Sequence, residues 1–140
     1  MFLRNYYVPA ADKASFRVIT PEVKQAIREA AVQNGLLTIL IPGATAGVTL
    51  LEGDTKVHEE YLKWVLSQVP ESEGPRPSRR SGSGRNSAHL RAALVGAQLT
   101  LPLQGGKLMS GPWQEVVLFD FDDKVGRREI TIQILGEGKS

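Results

Sequence analysis

The sequence predicts an α+β fold: a single domain over residues 1–140, built of mostly antiparallel β-sheet layers with two to three helices. Two observations predict it. Apolar residues alternate along several short segments, as at Ile130, Ile132 and Ile134, the period of a strand with one buried face. Other stretches carry apolar residues at helical spacing, and they interrupt the strands without the regular βαβ alternation of a parallel sheet. A chain of 140 residues, 41% hydrophobic and 23% charged, has the length and composition of one ordinary globular core.

Phe2 to Val8 and Phe16 to Ile19 are aromatic and β-branched on either side of a turn-like Pro9–Lys13, and read as an opening strand pair. Thr20 then stands as a helix cap with Pro21 in the first turn. Val23, Ala26, Ile27, Ala30 and Ala31 recur at helical spacing as far as Asn34-Gly35. Leu36 to Ile41 is a continuous apolar run closed by Pro42-Gly43, which suits a strand buried on both faces, and Thr45 to Leu51 reads as its neighbour. Asp54 or Thr55 caps a second helix with an apolar stripe of Val57, Tyr61, Leu62, Val65, Leu66 and Val69, ended by Pro70.

Residues 70–87 are dominated by Pro, Gly, Ser and Arg, a long loop of the kind that is functional or disordered. Asn86 or Ser87 then caps a short helix carrying Leu90, Ala93 and Leu94 up to Gly96. The remainder reads as β: Leu99, Leu101 and Leu103 alternate, Val116 to Phe121 follows Trp113, and the isoleucines follow in turn. Gly105-Gly106 and Asp122–Gly126 supply the turns.

Composition narrows the chemistry. The chain has no cysteine, which excludes a disulfide framework, a thiolate nucleophile and a Cys-based zinc site. No leader-like apolar start and no run long enough to span a membrane is present, so a cytoplasmic protein without membrane contact is expected. A formal net charge of +2 is too small for a duplex-binding footprint, and nucleic acid is not an expected partner. The basic residues Arg76, Arg79, Arg80 and Arg85 instead form a local anion patch.

The Gly82–Ser87 stretch runs into a helix start, where free backbone N–H groups and the positive end of the helix dipole favour an anion. Arg79, Arg80 and Arg85 can add bidentate contacts to phosphate oxygens, with Asn86 and Ser87 at the helix end. The alternative is a solvated loop whose arginines serve solubility. His89, one turn further, suits a general acid or base, or else a structural histidine. His58, beside Glu59 and Glu60, reads as part of a solvated face. Glu52 and Asp54 follow a strand end and can bind Mg²⁺ or take a proton, although Asp54 serves equally as a helix cap. Thr45 is a further polar residue at an element end, and Trp64 and Trp113 read as packing or interface residues.

Three segments carry a family resemblance. Pro-Gly-Ala-Thr-Ala-Gly-Val-Thr at 42–49 looks like a Pro-His-Thr-Ser/Thr-Ala-Gly-Ile-Thr stretch, and Asn86–Leu90 looks like a loop-to-helix Ala-His-Ile/Leu segment. Leu99 to Gln114 resembles a hairpin followed by Gly-Thr-Trp-Gln. These are features of the YjbQ-like family, often labelled secondary thiamine-phosphate synthases, and the chain resembles a divergent member along nearly its whole length. The resemblance implies a β-rich homotrimer and a transferase joining a pyrimidine diphosphate to a thiazole phosphate with loss of pyrophosphate. In that reaction Thr45, the arginines, Asn86 and Ser87 would hold phosphate, Glu52 or Asp54 would hold Mg²⁺, and His89 would assist. The chain departs from the pattern at Gly43, in place of a histidine, around Arg79 and Arg80, in place of another, and at Leu51–Asp54, where an Asn-Glu-Asn-x-Asp stretch is shortened. A non-catalytic homo-oligomer that binds an anionic metabolite or partner is the rival reading.

Overall fold

The computed structural model describes residues 1–71 and 86–138. Along the chain the elements are β1 (Phe2–Ala10), β2 (Ser15–Val18), α1 (Thr20–Ala30), β3 (Val32–Leu40), β4 (Ala46–Glu52) and α2 (Thr55–Gln68). There follow α3 (Asn86–Val95), β5 (Gln98–Gln104), β6 (Lys107–Leu108), β7 (Gln114–Asp120) and β8 (Gly126–Gly138). The strands form two antiparallel sheets, one ordered β1-β8-β3-β5-β6 and the other β2-β7-β4.

Strand β7 explains why there are three layers. Its alternation sends Val116 and Leu118 into one core and Val117, Phe119 and Phe121 into another, so it is apolar on both faces. The first core lies between the two sheets, with Leu37, Ile39, Ile130, Ile132 and Ile134 from the larger one and Val23, Ala26 and Ile27 from α1. The second core packs Val65 of α2 and Ala88 and Ala92 of α3 on the far face of the smaller sheet.

Several local expectations change. Strands β1 and β2 do not pair with each other. Val8 faces the first core and Phe16 packs on the second, so the chain changes sheets between them. Strands β3 and β4 part in the same way, β4 pairing with β7. Helix α1 stops at Ala30, with Ala31 left-handed at φ 54° and its N–H donating to the Ile27 carbonyl. Asn34 and Gly35 belong to β3, where Gly35 permits a close strand crossing: a Cβ there would lie 2.0 Å from the Leu135 carbonyl oxygen. Thr20 does not cap the helix, since its Oγ1 accepts from the Val116 N–H at 2.9 Å.

The apolar run of β3 is buried on one face only in the single chain. Leu37 and Ile39 are fully covered, while Leu36 and Leu40 remain 49% and 42% exposed. Helix α3 turns the opposite side inward from the one the leucines suggested: Ser87, Ala88 and Ala92 are buried, and Leu90 and Leu94 are exposed. Small residues face inward because α3 and the turn after it press on β4, where a Cβ on Gly47 would meet the Gly96 carbonyl oxygen at 2.7 Å.

Candidate functional site

Two of the residues singled out in the sequence, Thr45 and Glu52, stand at opposite ends of β4. Thr45 precedes its first residue and Glu52 is its last. Seven strand steps of about 3.3 Å put roughly 23 Å between them. Thr45 and the Glu52–Asp54 pair therefore do not converge within one chain.

At the Thr45 end the structure builds a charged network that the sequence reading missed. Arg128 of β8 donates from Nε to Asp120 Oδ2 and from Nη2 to Asp120 Oδ1, both at 2.9 Å. Nη2 also donates to Thr45 Oγ1 at 2.9 Å, and Thr45 donates in turn to Asp122 Oδ2 at 3.1 Å. The arginine and Asp120 side chains are only 13% and 7% exposed, so this is a bidentate pair largely withdrawn from water. The Phe121 N–H donates to the Thr45 carbonyl, fixing the same corner. Gly43 has φ +102°, and a Cβ there would stand 3.3 Å from Arg128 Nη1. The guanidinium thus lies beside the position where the family pattern has a histidine. The signal was legible: the two-residue period puts Arg128 on the face of Ile130 and Asp120 on the face of Leu118, both inward.

At the other end, Glu52 is exposed and stands opposite Gln114 in the β4–β7 register. Asp54 is the N-cap of α2, its Oδ1 accepting from the Lys56 N–H at 2.9 Å. Replacing Asp54 with alanine is expected to lower stability by about 1 kcal/mol, with Asp54→Asn nearly neutral, as measured by urea denaturation. Glu52 and Asp54 alone make a poor Mg²⁺ site, because one carboxylate serves the helix. Among the described residues no group of three His, Asp or Glu side chains is gathered for a metal.

His58 is a correction. It is 2% exposed, its Nε2 lies 2.8 Å from the Glu52 carbonyl oxygen, and its ring meets Phe16 edge-on at 5.5 Å. A carbonyl only accepts, so Nε2 carries the proton and donates. The residue shares a helix face with Tyr61, Leu62 and Val65 at spacings of three, four and seven, which the flanking glutamates concealed. His58 therefore pins the end of β4 to the first turn of α2.

On α3, Asn86 is exposed, Ser87 buried and His89 half-buried. Arg91 donates from Nε to the Val69 carbonyl at 2.7 Å, tying α3 to the end of α2. Burial lowers its guanidinium pKa, and the Glu71 carboxylate partly offsets that. Arg79, Arg80 and Arg85, on which the anion patch was built, lie outside the described residues. Trp64 and Trp113 are 48% and 74% exposed, so neither is a core residue of the single chain.

Known proteins match this architecture along its length. The model of the UPF0047 protein YjbQ-like family matches residues 4–137. The UPF0047 protein MJ1081 of Methanocaldococcus jannaschii is 29% identical over 136 residues, covering 96% of this chain and 95% of that protein. The UPF0047 protein YjbQ of Escherichia coli O157:H7 is 27% identical over 139 residues, covering 98% and 100%. A crystal structure of a YbjQ-like protein of unknown function from Sulfolobus solfataricus P2 superimposes with a TM-score of 0.84 at 28% identity, covering 97% of each chain. A match from the first strand to the last, in sequence and in both sheets, places the chain in the YjbQ-like UPF0047 family.

Proposed function

We propose that this protein works in the cytoplasm as a homotrimer that handles a small phosphate-bearing molecule. The observation that carries the assembly is the outer face of the five-stranded sheet. Leu3, Tyr7, Leu36, Leu40 and Leu135 stand on it, each between 42% and 56% exposed. Leu36 lies in register between Leu135 and Pro102, and Thr38 between Gln133 and Thr100, so the centre of the face is uncharged. The sequence of β3 is that of a strand covered on both sides, and one chain covers only one. A second copy supplies the missing cover, as exposed apolar sheet faces of this kind require.

Assembly also offers a way for the two ends of β4 to meet, one from each of two subunits. The phosphate chemistry rests on the family resemblance, with Glu52 as the exposed carboxylate and His89 as the imidazole of the segment that carries the resemblance. Thiamine-phosphate-synthase-like transfer is its strongest form. Binding without turnover is favoured by the use of Asp54 as a helix cap.

Light scattering is expected to give three times the 15.3 kDa chain mass. The pair Leu36→Glu and Leu135→Glu should give the single-chain mass with the far-ultraviolet dichroism retained. A wild-type monomer sinks the assembly. Addition of pyrophosphate should raise the melting temperature, and a ligand at 100 times its Kd adds about 2.7 kcal/mol. Turnover of the two phosphate substrates separates the transferase from the binding protein.

A further inference from the structure

Between α1 and the β6–β7 segment lies an open groove of about 520 Å³, within the size range of small-molecule sites. Its floor is apolar, formed by Ile27 of α1, Leu50 of β4, Leu108 of β6 and Val116 of β7. Lys24, Arg28 and Lys107 stand in its walls. Lys24 and Arg28 are four residues apart on α1 and so share one helix face. None of the three makes an ion pair among the described residues. Glu115 is the one carboxylate residue among the described lining, and its side chain lies against Gly53, where a Cβ would meet its Cγ at 3.1 Å.

Three exposed cations without an ion-pair partner among the described residues give the groove a positive potential. Like charges on one groove repel, and each added anion relieves that repulsion. Thr20 adds a directional group: it lines the groove and its Oγ1 already accepts from the Val116 N–H, so its own proton remains for a ligand oxygen. Lys107 and the Gly111–Gln114 wall belong to the hairpin segment that carries the family resemblance in the sequence.

We propose that this groove binds a small organic dianion, with its oxyanion head between Lys24, Arg28 and Lys107 and its short apolar body on Ile27, Leu50, Leu108 and Val116. The proposal rests on the anion-handling reading above and gives the anion a site in this groove. A phosphate monoester and a dicarboxylate share the recognised chemistry.

The test is a titration of the full chain followed by amide chemical shifts, with phenyl phosphate, phenylmalonate and inorganic phosphate as probes. At least one aryl dianion should shift amides of α1 and residues 106–116, and bind roughly tenfold or more tightly than inorganic phosphate because only it covers the apolar floor. Which aryl dianion binds more tightly decides between phosphate and carboxylate. The pair Lys24→Ala and Lys107→Ala should weaken it by about tenfold or more while leaving the melting temperature unchanged. The charge-matched pair Lys63→Ala and Lys124→Ala should have no effect. Shifts confined to other surfaces, an unaffected groove variant, or an equal loss in the control pair each overturn the groove site while leaving anion handling in place. Equal affinity for inorganic phosphate overturns the organic ligand. No saturable binding of any probe overturns both this site and the reading on which it rests.

Discussion

Replacing Arg128 with alanine is expected to lower the unfolding free energy by about 3–5 kcal/mol, the usual cost of removing one partner from a buried ion pair. The loss is large because of what remains. Asp120 would keep a carboxylate that is 7% exposed with both guanidinium bonds gone, and an unpaired buried charge is far costlier than an apolar replacement. Thr45 would lose its donor from Nη2, loosening the 42–45 turn against the β7–β8 connection. Guanidinium denaturation of the variant measures the loss. The double replacement Arg128→Met with Asp120→Leu discriminates the cause, since removing both charges should cost less than removing either alone. A double variant as unstable as the single ones would mean that shape, and not charge pairing, holds this corner.

Phe119→Ala is the second large effect, expected at about 3–5 kcal/mol for deleting a fully buried ring. Phe119 is 0% exposed and stands at the centre of the second core. Its ring meets Tyr61 of α2 edge-on at 5.0 Å and Phe16 of β2 at 6.0 Å. Phe16 in turn packs on His58, so the cavity would open beneath the side chain that holds the end of β4. Hydrogen exchange should therefore show α2 and α3 opening before β3 and β8, whose partners lie in the other core. Phe119→Leu, which fills most of the space, should cost about 1.5 kcal/mol or less. Uniform loss of protection across both cores would show that the two layers unfold as one unit, without a separable helical layer.

Much of the fold was written in local periodicity. The strands at Leu99–Leu103, Val116–Phe121 and Ile130–Ile134, the capped helix after Asp54 and the Gly105-Gly106 turn are each set by residues close in sequence. Side-chain alternation and cap chemistry act within one or two turns of chain, so one sequence suffices to read them. The family resemblance also stood in the sequence, because its segments keep their order.

Partnership between strands was decided by the tertiary structure. Nothing within Phe2–Ile19 tells β1 to seek β8 and β2 to seek β7, 122 residues apart for Tyr7 and Glu129 and 103 for Phe16 and Phe119. Which apolar face meets which layer depends on the whole packing, and that also decided that α3 buries alanines. The same reason scattered the candidate site. Thr45 and Glu52 flank one strand, and a strand carries its two ends apart. Conversely, Arg128 lies 83 residues from Thr45 and joins it directly. Sequence determined most of the elements, the Asp54 cap of α2 and the family; only the closed packing of two sheets and a helical layer decided which charges are buried together, because burial is a property of the assembled layers.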